Sequence, residues 1–255
     1  DGNGHEIEIE RTLSTVTASY NGGLFNELSS KGEIKNLVVS GYFNVPGADA
    51  GKTIGGIVGR VTTSTAQISN VINNLSVNAS NANYVGGIVG DTWGKITNSL
   101  NTGSVTAKAY GGGIAGQVSA SGIEFKGLVN RGAISAPSAG GIFGLARYVF
   151  SITDSYNSGS LTGTRAFGIF AYLHDKVAET ADGTITISKC YSKEGTALAP
   201  AKTSLGANSP SKDHLSITIE NSYLASDAST LKSQTALEAA GWEFYDATLN
   251  PEGLW

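Results

Sequence analysis

Gly86-Gly87-Ile88-Val89-Gly90 decides the reading of this chain, because the phrase returns. It recurs as Gly55-Gly56-Ile57-Val58-Gly59, Gly112-Gly113-Ile114-Ala115-Gly116 and Gly140-Gly141-Ile142-Phe143-Gly144. A shorter copy is Gly22-Gly23-Leu24-Phe25, and a worn one is Phe167-Gly168-Ile169-Phe170-Ala171. The second glycines fall at 23, 56, 87, 113, 141 and 168, in steps of 33, 31, 26, 28 and 27. A period of that size belongs to a stack of similar supersecondary units, each burying its apolar face against the next.

A second phrase keeps phase with the first. Its clearest copy is Ile96-Thr97-Asn98-Ser99-Leu100-Asn101-Thr102-Gly103-Ser104-Val105, with counterparts starting at Ile34, Ile68, Phe125, Ile152, Ile187 and Ile219. Read as a strand, its first, third and fifth places share one face. The first place is Ile or Phe throughout, and the fifth is Val38, Ile72, Leu100, Val129, Tyr156, Tyr191 and Tyr223. The third is mostly polar: Asn36, Asn70, Asn98, Gly127, Asp154, Lys189 and Asn221. It reads as a bend where stacked amides form a hydrogen-bonded ladder at ~4.8 Å spacing. Gly41, Gly103, Gly132 and Gly159 are expected to turn the chain with positive φ.

Each unit of ~27 residues therefore reads as one coil with two or three short strands. The expected fold is all-β: a single parallel β-helix of about seven coils, right-handed by the general crossover preference. Abundant Gly, Val, Ile, Thr and Asn argues against helix. The repeats fill 1–231, and 232–255 reads as a cap. There Thr235-Ala236-Leu237-Glu238 forms a capping box before a short helix, Gly241 stops it, and Trp242, Phe244, Tyr245 and Trp255 follow.

Composition narrows the function. Net charge is −4 with 15% charged residues and no basic stripe, which argues against nucleic acid. No apolar run approaches the ~18 residues of a membrane span. Cys190 is the sole cysteine and lies beside an apolar column, so a buried free thiol is expected.

The phrases Asp1-Gly2-Asn3-Gly4-His5, Gly-Gly-Leu/Ile-Phe/Val-Gly and Ile-x-Asn-x-x-Asn-x-Gly-x-Val resemble GLUG-motif repeats. Ala240-Gly241-Trp242-Glu243-Phe244 is similar to the ending of such arrays. These repeats occur in large bacterial surface proteins, adhesin-like proteins and some IgA-specific metallopeptidases among them. The resemblance implies an exported bacterial origin, at the cell surface or outside it. It also implies sequence upstream of Asp1, hence an upstream domain or neighbouring subunit as partner.

Chemistry is sparsely signalled. The His-Glu-x-x-His helix of the metallopeptidases is absent, and His5, His174 and His214 are not spaced as a zinc pair. Asp1-Gly2-Asn3 starts like a calcium loop but lacks the remaining ligands. The glycines are explained by repetition, and no Lys-Ser/Thr follows them to hold phosphate. Asn74-Leu75-Ser76 and Asn78-Ala79-Ser80 are sequons only in a eukaryotic secretory route. Neither metal nor cofactor is expected. Asp91, Glu124 and Asp154 stand at different phases of the repeat, so they should not converge as the acids of a polysaccharide lyase or hydrolase would.

The better surface feature is the column two residues before each glycine pair: Tyr20, Thr53, Tyr84, Tyr110, Ser138 and Arg165, with Trp93 close in sequence. Tyr84, Trp93 and Tyr110 are the candidate ligand-binding residues, for a glycan or a surface-protein partner. The competing reading is a packing ladder between coils. Three insertions, 44–52, 173–183 and 196–215, map to loops. The expected role is a non-catalytic extracellular scaffold for adhesion or docking. The alternatives are a β-helix carbohydrate-active enzyme, or an accessory subunit of an outer-membrane or filament assembly.

Overall fold

The computed structural model describes residues 1–14, 21–47, 51–175, 177, 182–205, 208–209 and 211–224. The expected cap at 232–255 and Tyr20 lie outside them. The described chain is an all-β parallel solenoid of about seven turns.

A middle coil shows the plan. Lys95–Asn101 and Val105–Ala107 run along one sheet, Tyr110–Gly112 along a second and Ala115–Val118 along a third. The four coils that start at Gln67, Lys95, Ile123 and Phe150 each have four short strands where two or three were expected. Pairing is parallel and in register throughout: Val105 sits on Val77 and under Ile134, and Tyr110 lies between Tyr84 and Ser138. A short helix, Ser211–His214, lies in the last of the three insertions.

The second phrase forms the long strand of each coil, but its faces differ from a simple alternation. Asn36, Asn70, Asn98, Gly127, Asp154, Lys189 and Asn221 all have φ between +46° and +65°. One left-handed residue at the third place shifts the parity of the places after it, as a bulge does. The inward places are therefore the first, fourth and sixth. Ile68, Ile96, Phe125, Ile152 and Ile187 are buried at the first, and Leu37, Val71, Ser99, Leu128, Ser155 and Cys190 at the fourth. The apolar fifth column, expected to share the inward face, points outward and stays partly exposed at Val38, Ile72, Tyr156, Tyr191 and Tyr223.

The fourth-place hydroxyls repair the ladder broken by the bulge. Ser99 and Ser155 donate to the carbonyls of Thr97 and Thr153 at 2.7 and 2.8 Å. Ser155 also accepts from the Leu128 N–H of the preceding coil, at 3.1 Å. Cys190 stands in that column, and its thiol contacts the Ser188 carbonyl at 3.3 Å.

The buried amide ladder is at the sixth place, not the third. Asn73, Asn101, Asn130 and Asn157 are each 0% exposed. Each donates to the next: Asn73 to Asn101 at 2.7 Å, Asn101 to Asn130 at 2.8 Å, Asn130 to Asn157 at 2.8 Å, and Asn157 to Ser192 Oγ at 3.0 Å. The second amide hydrogen of each closes the local turn, as Asn101 does on the Gly103 carbonyl at 2.8 Å. At the third place Asn70 donates to Asn36 at 3.3 Å on the exposed face.

This ladder explains the glycine phrase. A Cβ on Gly56 would lie 2.6 Å from Asn73 Oδ1, and side chains on Gly87, Gly113 and Gly141 would overlap Asn101, Asn130 and Asn157 in the same way. The two phrases stay in phase because the second glycine of one lies on the amide of the other. Gly103, Gly132 and Gly159 are also required by space. A Cβ there would overlap the carbonyl of the coil before, and only Gly41 of the expected four has positive φ, +98°.

Candidate functional site

The corner between the second and third sheets has almost no thickness. A Cβ on Gly90 would stand 2.6 Å from the Thr53 carbonyl carbon, one on Gly116 2.7 Å from that of Tyr84, and one on Gly144 2.9 Å from that of Tyr110. The third-sheet strand of each coil thus abuts the second-sheet strand of the coil before. On that strand the Val61, Val118 and Leu173 column enters the core. The register column Glu27, Arg60, Asp91, Gln117, Leu145 and Tyr172 faces the other way, into a crease outside the core.

Tyr84 and Tyr110 meet at this crease. Their rings stack 5.4 Å apart and 8° from parallel. The Tyr172 ring meets Tyr110 edge-on at 5.2 Å, and the Arg165 guanidinium lies 4.6 Å over Tyr172. The ladder spacing that brings the tyrosines together also sets Tyr84 and Tyr110 face to face, so each covers one face of the other. Burial among Tyr172 and Tyr84 pushes the Tyr110 phenol above its ordinary value, with Arg165 opposing.

Trp93 does not join them. It turns the corner from the third sheet to the next long strand and packs on Tyr148, rings 6.3 Å apart. Its indole N–H is buried without a hydrogen-bond partner. Of the three candidates, two share a surface and the third belongs to another corner of the coil.

The crease holds a polar cluster that the sequence reading did not single out as a site. Asp91, Gln117 and Ser119 are 3%, 3% and 2% exposed. Arg60 Nε lies 3.2 Å from Asp91 Oδ2, close enough to pair by charge although its N–H is not aligned on the oxygen. Gln117 donates to Asp91 Oδ1 at 3.3 Å and contacts the Ser119 hydroxyl, while its own carbonyl oxygen is buried and unpartnered. Burial pushes the Asp91 carboxyl above its ordinary range; Ser119, Arg60, Gln117 and Arg147 pull it back. The sequence signal was an acid and an amide in register at the second residue after successive Gly-Ile-Val/Ala phrases, where most coils change residue type.

The other acids lie elsewhere. Glu124 is the second residue of the long strand Ile123–Asn130, and Asp154 pairs with Lys126 at 3.4 Å on the outer face of the first sheet. His214 approaches Asp182 at 3.4 Å, with Asp182 95% exposed. The Asp175 carbonyl accepts from Ser209 Oγ and Ser211 Oγ at 2.6 and 2.7 Å, tying two insertions together. Among the described residues no three His, Cys, Asp or Glu side chains gather as metal ligands, and no helix is long and apolar enough to cross a membrane. Compared with known protein families, with curated proteins and with solved structures, the chain matches none.

Proposed function

We propose that this chain is a non-catalytic repeat scaffold of an extracellular bacterial surface protein, a GLUG-repeat solenoid that docks a glycan or another surface protein along its crease. The observation that carries the reading is the tyrosine ladder. Tyr84 and Tyr110 stand in register on a rigid parallel frame and continue into Tyr172 and Arg165. Such a row presents ring edges, hydroxyls and one guanidinium at fixed spacing, and aromatics of this kind dominate recognition surfaces. The repeat motifs support the surface location and a neighbouring subunit as partner. Nucleic acid is disfavoured by the acidic balance.

A second reading is a β-helix carbohydrate-active enzyme. Asp91 favours it, as a buried carboxylate of raised pKa beside an aromatic row. Against it stands the neighbourhood: Asp91 touches Arg60 and Gln117 and is only 3% exposed, so substrate reaches it only after the crease opens. A third reading, an accessory subunit of a larger assembly, draws on the first coil, where Ile7 and Phe25 are 40% and 43% exposed. The deciding experiment incubates the protein with acidic and neutral polysaccharides and follows both retention and new reducing or unsaturated ends. Retention without turnover is expected. Turnover abolished by Asp91→Asn would replace the scaffold by the enzyme.

A further inference from the structure

The first coil uses only one side of its long strand. Among the described residues, Glu6–Thr12 pairs with the coil after it alone, in parallel register from Glu6 on Val38 to Thr12 on Asn44. A parallel ladder engages alternate residues of a strand on each of its two sides. The His5 carbonyl accepts from the Val38 N–H at 3.2 Å, and the Leu13 N–H donates to the Asn44 carbonyl at 2.8 Å. The odd-numbered residues between them are therefore turned to the next coil. Glu6, Glu8, Glu10 and Thr12 turn their backbone N–H and C=O groups to the open side.

The side chains of this strand sort by charge. Glu6, Glu8 and Glu10 are exposed on the outer face, in register with Val38, Ser40 and Tyr42. Among the described residues no cation pairs with them: Lys35 on the next coil is held by Glu33 at 3.0 Å, and Arg11 stands in the other column, in register with Phe43. That other column faces the core. Ile9 packs on it, while Ile7 is 40% exposed, as is the inward Phe25 of the third sheet at 43%.

Open edges are commonly guarded by Lys, Pro or a bulge. Glu6–Thr12 has no Lys, no Pro and no positive φ. Its guard is the row of glutamates. A second copy added in either direction would set these glutamates against their own mates, because its register must keep Ile7 and Ile9 on the core side. The same row attracts a strand with cations at alternate places.

We infer that the edge Glu6–Thr12 takes up a parallel β-strand of another protein, one that alternates Lys or Arg with Val or Ile. The cations lie beside Glu6, Glu8 and Glu10, the apolar residues cover Ile7 and Ile9, and the backbone groups of the glutamates complete a ladder. This is strand addition to a sheet edge, with main-chain bonds for affinity and alternate side chains for specificity. It takes place at the end of the solenoid, apart from the crease on its flank.

The test titrates the full chain with a labelled peptide, Lys-Val-Lys-Val-Lys-Val-Lys, followed by fluorescence anisotropy and by hydrogen exchange of the protein. Saturable binding is expected, with exchange of the Glu8 and Glu10 amides slowed about tenfold or more. A peptide of the same composition with its lysines and valines in two blocks should bind at least about tenfold more weakly. Glu8→Gln removes one exposed ion pair and should cost about fivefold at most. Glu8→Pro also removes the open-side N–H and should cost far more, with an unchanged circular-dichroism spectrum, because that N–H takes no part in the ladder to the next coil. A peptide N-methylated on the bonds that face the protein makes the same test from the ligand's side and should not bind. No binding up to ~1 mM peptide would overturn the inference. So would equal binding of the block peptide or the N-methylated one, or Glu8 and Glu10 amides already protected in the free protein.

Discussion

Asn101→Ala should be among the most damaging single truncations of a polar side chain in this protein. The amide is fully buried and makes three hydrogen bonds: one accepted from Asn73 at 2.7 Å, and one donated to each of Gly103 O and Asn130 Oδ1 at 2.8 Å. At ~1 kcal/mol net each, their loss costs about 3 kcal/mol. Part of the cost is softened, because Asn73 still donates to Leu75 O and Asn130 Oδ1 still accepts from the Gly132 N–H. The Gly103 carbonyl loses this donor inside the wall of the solenoid, and a cavity remains under Gly87, bringing the total to roughly 3–5 kcal/mol. That is a large share of the ~5–15 kcal/mol typical of a folded domain. The assay is urea unfolding followed by far-UV circular dichroism and aromatic fluorescence. The control is Asn98→Gly, three residues earlier. Asn98 is exposed at φ +47°, and Gly127 fills the same place in the next coil, so this change should stay within ~0.5 kcal/mol. A cost below ~1 kcal/mol for Asn101→Ala, or an equal cost for the control, would refute the assignment of the ladder to the sixth place.

Buried titratable groups give two further outcomes. Burial pushes the Cys190 thiol up to about 12, so a thiol reagent at neutral pH should label it only as fast as the chain unfolds. Cys190→Ser should cost under ~1 kcal/mol, since Ser99 and Ser155 already fill that column with the same contact to the carbonyl two residues back. Asp91 has a folded-state pKa raised above its unfolded value, so the folded state holds the proton more tightly. Its contribution to stability is present below the unfolded value and is lost as pH rises through the folded one. Relative to wild type, Asp91→Asn should therefore gain stability as pH climbs from the ordinary carboxylate range to the raised value, then level off. Urea midpoints of both proteins, followed upward in pH from the ordinary carboxylate range, check the sign.

Repetition made the architecture legible. Two phrases in phase, one rich in paired glycines and one in Ile and Asn, are enough to stack coils. What stayed hidden was parity. Counting by twos from Ile96 puts Asn98 and Leu100 inside and Asn101 outside. The structure turns Asn98 out and Asn101 in, because one left-handed residue, of a type that tolerates positive φ, is inserted and shifts the count. The internal repeats did hold the clue. The sixth place is Asn in Asn73, Asn101, Asn130 and Asn157, whereas the third runs through Asn, Gly, Asp and Lys. A buried ladder requires one residue type with both donor and acceptor; an exposed left-handed turn needs only a residue that tolerates positive φ. The tyrosine row was legible as a column, since its register is set by the repeat. The Arg60–Asp91–Gln117 cluster beside it was not, because its burial depends on a crease that exists only once Gly90 and Gly116 let two sheets touch.

The docking role is tested most directly by measuring glycan-array and surface-protein binding of the wild-type chain beside two variants, Tyr84→Ala/Tyr110→Ala and Trp93→Ala. Each stacked aromatic contributes ~0.5–1.5 kcal/mol beyond buried area, so loss of both tyrosines should weaken binding about tenfold or more. Trp93→Ala, at a different corner and against Tyr148, should leave affinity within about twofold. Binding that survives loss of the two tyrosines would contradict the crease as the docking surface and leave the ladder as packing between coils.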